Sequence, residues 1–522
     1  MVTLFERLPG EFLPVIPVLM VLLSLTAAVV IFPLPENRVR LRAGINLTAA
    51  VLKVLLVIAL VPSVVADGAR PEFSAPFLPG IELVLRVDPL ALFFAGLSSL
   101  LWLLTTIYAL GYLRGTQNKS RFFGFFSLCV TATVGISFSG NLITFLVFYE
   151  LLTVVTYPLV AHWGTPESLR AARIYLRYAL SGGLAVLIGV VWLTIYVGPV
   201  SFEAGGAAGV AELVRDQPMP ALAIFVLLVG GLGVKAALFP LHGWLPLAMV
   251  APAPVSALLH AVAVVKAGVF GILRVVHDVF GVEAAAELGV LTPLLVLAAF
   301  TVLYGSYQAL RQEELKKRLA YSTVSQVSYV VLGVTMINEL ATSGGVVHLV
   351  HQGIMKITLF FCAGLFAEVL RAHTVTALRG AGRRMPLTSV AFTAGALGMI
   401  GLPPTAGFIS KWQLGSGAVS SDQSWVLWVL VASSLLNAAY FLPVVYSLWF
   451  DEPPEPPEDP EGPRTTTARG PSEADPLRVK EPRSLVIPAL ITAGLTVLLG
   501  LVASLAFAPL QIARFIAEGV LG

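Results

Sequence analysis

The sequence predicts an all-α integral membrane protein of about fourteen transmembrane helices, and three observations predict it. The 522 residues are 57% hydrophobic and only 12% charged, with a mean hydropathy of +0.87, far outside the range of a soluble domain. Apolar runs of about 20 residues, enough to cross the hydrocarbon layer as helix, recur along the whole chain. The connections between them alternate between base-rich and base-poor, the pattern that fixes helix orientation in a bilayer.

The runs lie near 13 to 33, 45 to 66, 88 to 110, 122 to 139, 141 to 161, 174 to 197, 220 to 240, 254 to 276, 288 to 309, 319 to 336, 344 to 369, 386 to 410, 425 to 449 and 485 to 509. The first, beginning near Leu13, has no basic flank before it and no A-x-A site after it, so it reads as a retained helix and not a signal peptide. Bases follow the odd-numbered runs: Arg38, Arg40 and Arg42; Arg114, Lys119 and Arg121; Arg170 and Arg173; Lys316, Lys317 and Arg318; Arg371, Arg379, Arg383 and Arg384. Even-numbered connections are poor in base or acidic, as with Asp278, Glu283 and Glu287. This alternation places both termini outside the cytoplasm of a cell inner (plasma) membrane.

The organisation expected is an N-terminal group of three helices (1–120), a first five-helix repeat (121–277), a second (286–450), a hydrophilic cytoplasmic loop (451–483) and a last helix (484–522). The loop, DEPPEPPEDPEGPRTTTARGPSEADPLRVKEPR, is too poor in apolar residues to bury a core and reads as disordered, a linker more than a docking segment. Runs seven and twelve hold breaks: LVGGLGVKAALFPLHGWLP has Pro240 and Pro246 after Lys235, and GALGMIGLPPTAGFISKW has Pro403 and Pro404 before Lys411. Proline removes a helix hydrogen bond, and a broken helix at membrane depth survives where it is buried or lines a polar cavity. Each break takes the fourth place in a set of five, helices 4–8 and 9–13, and an odd number of helices per set inverts the second set relative to the first. Paired interrupted helices at corresponding places point to an ion path.

A net charge of +3 is too small to imply nucleic acid. The two cysteines, Cys129 and Cys362, lie in apolar runs with no CxxC pair, and there is no G-x-G-x-x-G loop, so no metal, cofactor or catalytic residue is expected. What remains is charge where charge is costly. Glu150 lies within LVFYELLTVVTYPLVAH, Lys235 beside the first break, Lys266 in run eight, His348 and His351 one helical turn apart in run eleven, and Lys411 beside the second break. Ionisable residues at such depth are functional hypotheses by default. His260 and Lys356 are further candidates.

A carboxylate beside a buried lysine lowers the cost of both charges, so Glu150 is expected to hold and switch Lys235. Lys266 would relay toward the second half, the histidines titrate near neutral pH in water, and Lys411 would be the last proton site. A static ion pair fastening two helices, a satisfied histidine, and a Lys411 that snorkels to the interface are the competing structural roles.

These strings resemble the antiporter-like membrane subunits shared by respiratory complex I and the Mrp-type multisubunit cation/proton antiporters. The resemblance rests on FYELLTVVTYPLVAH, GGLGVKAALFPLHGWLPLAMVAPAPVSALLHAVAVVKAGVF, KKRLAYSTVSQVSYVVLG, LVHQGIMKITLFFCAG and GLPPTAGFISKW, over about residues 90 to 450. It implies fourteen helices with two inverted repeats and proton translocation along a polar axis at mid-membrane. Glu150 and Lys235 would be the regulatory pair, Lys266 the bridge and Lys411 the exit site. A lysine at that exit, with TYPLVAH after the glutamate, resembles the D-type antiporter component. Gln326 departs from relatives that carry histidine there.

The reading this supports is a proton-translocating subunit of a multisubunit Na+/H+ antiporter, without catalytic chemistry of its own, whose partners are other membrane subunits, the lipid bilayer, protons and Na+. The alternatives are a proton-pumping subunit of a respiratory NADH:quinone oxidoreductase or related membrane hydrogenase, a translocase only through its partners, or a membrane subunit that energises inorganic-carbon uptake.

Overall fold

A computed structural model describes residues 10–452 and 479–521. Helices lie at all the expected positions: α1 (Phe12–Ile31), α2 (Val39–Ala66), α3 (Pro89–Tyr112), α4 (Lys119–Phe138), α5 (Leu142–Val160), α6 (Pro166–Val197), α7 (Pro218–Lys235), α8 (Ala253–Phe280), α9 (Leu291–Leu310), α10 (Leu315–Thr335), α11 (Glu339–Leu370), α12 in two halves (Pro386–Ile400 and Ala406–Ser420), α13 (Trp425–Phe450) and α14 (Arg483–Leu501). Twelve of them are long and apolar enough to cross a membrane. The exceptions are α10, made polar by Lys316, Lys317, Arg318 and a run of Ser, Thr and Gln, and α12, whose halves have 15 residues each.

Local chemistry sets the helix starts. Asp88 accepts from the Ala91 amide at 2.8 Å ahead of Pro89, Asn141 from the Thr144 amide at 2.7 Å, and Thr165 from the Ser168 amide at 3.2 Å ahead of Pro166. Each satisfies a donor that a helix N-terminus leaves free. The Thr165 cap starts α6 well before the expected 174, so Arg170 and Arg173 are helical and not in the preceding connection. Apolarity locates the membrane crossing, and the cap locates the helix end.

Some features lie outside the fourteen expected helices, among them a short helix, Ala208–Asp216, between α6 and α7. An antiparallel hairpin, β1 (Glu72–Leu78) and β2 (Ile81–Arg86), stands between α2 and α3 with Glu72 opposite Arg86. A further helix, Pro509–Leu521, follows α14, its buried residues Leu510, Ala513, Ile516 and Ala517 recurring at helical spacing.

The centre of the molecule is α8, every residue of which is buried, so its side chains meet only protein. A helix buried on every side belongs in a core, and α8 carries His260, Lys266, Arg274, His277 and Asp278 into it. Alongside it runs α11, continuously buried from Ala341 to Phe366. The outer helices turn Val154, Ile195, Val226, Leu435 and Leu501 outward, a surface suited to lipid. The hydrophilic loop expected over 451–483 falls mainly on 453–478, outside the described residues. Its last residues are held: Glu481 accepts from the Leu387 amide at 3.1 Å, and from the Thr388 amide at 2.9 Å and hydroxyl at 2.5 Å. A carboxylate there caps the N-terminus of α12 and meets its positive dipole end.

Candidate functional site

The first group forms where α5 meets the end of α7. Lys235 is the last residue of α7; beyond it Ala237 takes a left-handed backbone (φ 55), the chain passes Pro240, and helix resumes only at Trp244–Leu247. The Lys235 Nζ donates to the Tyr149 carbonyl at 2.5 Å and lies 3.2 Å from the centroid of the Tyr149 ring. A desolvated cation–π contact of this kind is worth about 2 kcal/mol. Tyr149 is itself fixed by its hydroxyl, which donates to the Gly231 carbonyl at 3.3 Å.

The expected contact between Glu150 and Lys235 is not made. No ion pair joins them among the described residues, although the charges lie within electrostatic range. Consecutive residues of a helix point about 100° apart, so Tyr149 takes the lysine while Glu150 turns to α6. There it packs over Gly183, where an added Cβ would fall 2.0 Å from Glu150 Oε1. The glycine makes room for the carboxylate.

The second group is at the centre. Lys266 of α8 donates to the Leu349 carbonyl at 2.8 Å and to the Gln352 side chain, both on α11. His348 bonds through Nδ1 to the Ser410 hydroxyl at 2.8 Å and senses the charges of both Lys266 and Lys411. His351, one turn on, faces the Ala406 backbone where α12 resumes. Lys356 donates to the Leu319 carbonyl at 3.1 Å and lies within electrostatic range of Lys266 and His260. The His260 ring lies 4.6 Å from that of Phe360, in a π-helical turn, Leu258–Val262, where α8 widens. The two candidates ranked lower by their sequence context thus join the central group.

The third position is the α12 break. Gly401 ends the first half at φ 89, Pro403 and Pro404 follow, and Lys411 reaches back from the second half. Its Nζ donates to the Met399 and Ile400 carbonyls at 3.1 and 2.8 Å and to the Ser434 hydroxyl at 2.9 Å. Those carbonyls are acceptors that the end of a helix leaves free, at the negative end of its dipole. Lys411 is half-buried in a groove beside the exposed Trp412 and Leu435, yet its ammonium is held by the carbonyls at the break, 5.5 Å from the buried Tyr329 ring, and is not extended toward the interface.

Lys266, His348 and Lys411 therefore form a row across α8, α11 and α12 in which His348 lies within electrostatic range of both lysines, with no hydrogen bond among the described residues from one member to the next. The Lys235 group stands apart, with no hydrogen bond among the described residues joining it to Lys266. Gln326, on α10, is buried with both side-chain polar atoms unpartnered. Sequence reasoning passed over two contributors to the site and one buried charge outside it. Tyr149 and Gln352 are ordinary helix residues by pattern, and their roles appear only when the helices pack. Lys53, fully buried in α2, carried the same signal as Glu150, a lone charge in an apolar run.

A many-helix membrane protein with broken helices and a row of titratable side chains at depth is the class that this fold and site define. The chain belongs to the NADH:quinone oxidoreductase/Mrp antiporter transmembrane family, whose pattern matches residues 139–437. It is 36% identical over 495 residues to NADH-quinone oxidoreductase subunit N of Desulforudis audaxviator, covering 93% of this chain and 95% of that one. It is 31% identical over 398 residues to a probable K(+)/H(+) antiporter A/B component of Rhizobium meliloti, covering 75% of this chain but only 39% of that longer protein. In fold it matches a chain of the Mrp complex from Dietzia sp. DQ12-45-1b with a TM-score of 0.84 and 24% identity, over 98% of this chain and 100% of that one. The resemblance carried by the motif strings and this membership agree.

Proposed function

We propose that the chain is a proton-translocating subunit of a multisubunit monovalent cation/proton antiporter. The observation that carries this is the central row: Lys266, His348 and Lys411 are held at depth by carbonyl, hydroxyl and amide groups, with no ion pair to a carboxylate among the described residues. A structural ion pair would lock the charge. An amine held by neutral acceptors can give up its proton and take it back without losing its place.

In this reading Glu150 acts on Lys235 through space and not by contact. Movement of α5 or α6 that brings the carboxylate nearer stabilises the ammonium, and movement away releases its proton toward Lys266. The two broken helices, α7 and α12, would occupy corresponding places in inverted repeats over 121–277 and 286–450, with three helices before them and one after. Base-rich connections would face the cytoplasm and the termini the outside of the plasma membrane.

A second reading has a specific support of its own. The likeness to a quinone oxidoreductase subunit extends over nearly the full length of both chains, which favours the same proton path driven by redox partners. The test uses everted vesicles carrying the whole native operon, with a pH-sensitive dye, Na+ added first and NADH second, comparing wild type with Lys235→Ala. A Na+-triggered pH change lost in the variant supports the antiporter. A response to NADH alone, also lost, moves the path into a respiratory complex, and an unchanged response in the variant removes Lys235 from either.

A further inference from the structure

Among the buried cations, Lys53 lies outside both five-helix groups. It sits in mid-α2, about 20 Å of helix from Val39, fully buried, with no ion pair among the described residues. Its Nζ donates to the Ser24 hydroxyl of α1 at 2.7 Å and lies 5.0 Å from the Trp102 ring of α3. No charged group faces it from α1, α3 or α4; its surroundings are hydroxyls, an indole and apolar side chains.

Ser24 is the inner end of a polar seam. The Thr131 hydroxyl of α4 lies 2.9 Å from Ser24 Oγ and 3.1 Å from the Ser127 carbonyl, which share its one proton; the Ser127 hydroxyl donates to Asn46 Oδ1 at 3.1 Å; Asn46 Nδ2 donates to the Arg42 carbonyl at 3.0 Å. Arg42 donates to the Ser120 hydroxyl at 2.5 Å, and Glu36, exposed in the connection between α1 and α2, accepts from the Ser120 amide at 3.0 Å. On α2 the polar positions fall four and seven residues apart and on α4 seven and four, so each helix gives one face to the seam. From Arg42 to Ser24 every member is at most 5% exposed. A strip of buried polar residues, joined by hydrogen bonds in segments and through the backbone at Ser127 and Arg42, thus runs from a solvent-exposed carboxylate to a mid-depth ammonium between α1, α2 and α4.

Past Lys53, α3 carries Ser98, Trp102 and Thr106 four residues apart, all fully buried and with their side-chain donors unpartnered. The same helix packs against the π-helical turn of α8 that holds His260, whose two ring nitrogens are likewise unpartnered. Polar groups costly to bury unpaired thus sit on the one helix, α3, that packs both against α2 and against the His260 turn.

We propose that Lys53 is a further proton-binding site, loaded from the membrane face that carries Glu36 and Arg42 along the α1–α2–α4 seam, and feeding the central group on the α8 side. The step is an N–H exchange only: the amine takes a proton from solvent at that face to become an ammonium, and returns to the amine when the proton passes on. The inference rests on the proton-translocating reading and adds an entry to it.

The experiment measures proton flux in everted vesicles holding the intact native complex, with assembly followed by the yield of purified complex, for Lys53→Met, Lys53→Arg and, as a control, Lys235→Ala. Arginine keeps size and charge but does not release its proton. Flux reduced at least about tenfold in both Lys53 variants, with assembly intact and Lys235→Ala also inactive, is the expected result. Wild-type flux in either Lys53 variant overturns the proposal, since a merely structural cation is served by arginine. Full flux in Lys235→Ala brings down the proton-translocating reading itself, a separate failure. Should both lysine variants fail to assemble, Ser127→Ala and Thr131→Val leave Lys53 in place: flux lowered several-fold in both supports loading through the seam, and wild-type flux in both overturns it.

Discussion

At the scale of single residues, the proposed function rests on how each charge at depth is held. Lys235 is held by the carbonyl and ring of Tyr149, so Lys235→Ala should lower proton flux by about 100-fold, an effect in the range of a lost acid–base group. Glu150→Ala should do the same while the complex still assembles, as read by flux and by purified yield; normal flux in either variant contradicts a switch. Gly183→Ala adds a Cβ 2.0 Å from the Glu150 carboxylate and must displace it, so it should mimic a partial Glu150 defect. Lys411→Arg keeps the bonds to the Met399 and Ile400 carbonyls within reach of a cation but removes deprotonation, and flux should fall while yield does not. Glu150, Lys235, Lys266 and Lys411 were legible in the sequence because a lone charge in an apolar run stands out by its cost. Their partners were not. Sequence spacing gives depth along a helix but not which neighbour a side chain meets, which is why the direct Glu150–Lys235 contact was expected and Tyr149 was overlooked. Lys53 carries the same signal, but no helix break lies beside it to mark it.

At the scale of elements, apolar length and proline placement told most of the story. The breaks at Pro240 and at Pro403 and Pro404 lie where two helices end beside lysines; at α12 the end carbonyls of Met399 and Ile400 go to Lys411, whereas at α7 those of Gly233 and Val234 are taken by the chain beyond and Lys235 bonds to α5. Helix starts depended on single capping residues, Thr165 for α6 and Glu481 for α12, and a residue beyond a long hydrophilic stretch cannot be assigned as a cap from sequence. Glu481→Ala should cost about 1 kcal/mol at the α12 N-terminus, seen as faster amide exchange at Leu387 and Thr388 than in wild type. Glu36 caps α4 in the same manner. Burial raises its carboxyl, but the Ser120 and Lys119 amides and the nearby Arg42 outweigh this and hold it below its ordinary value. A depressed carboxyl stabilises above its unfolded value and loses that contribution as pH falls through the folded one. Exchange protection at Lys119 and Ser120 should therefore persist through mildly acidic pH and fail only below the usual carboxylate range. The π-helical turn around His260 had no sequence signal, since its extra residue per turn is imposed by packing.

At the scale of the whole molecule, α8 and α11 form a buried centre around which lipid-facing helices are arranged. Apolar side chains of equal volume would cost less to bury at that centre than its lysines, histidines and glutamine, which is the ground for the proposal that these groups act. Membership of the antiporter-like family was readable from motif strings that join these charges to the breaks around them. The complex to which the chain belongs was not, because the proton path is common to assemblies that differ in their other subunits. The central claim is that protons pass through the row Lys266, His348 and Lys411. Proton flux should be measured in vesicles holding the assembled complex with Lys266→Met, an apolar side chain of similar length that cannot carry a proton. The account predicts flux reduced by about 100-fold with the complex intact; wild-type flux in that variant would contradict it.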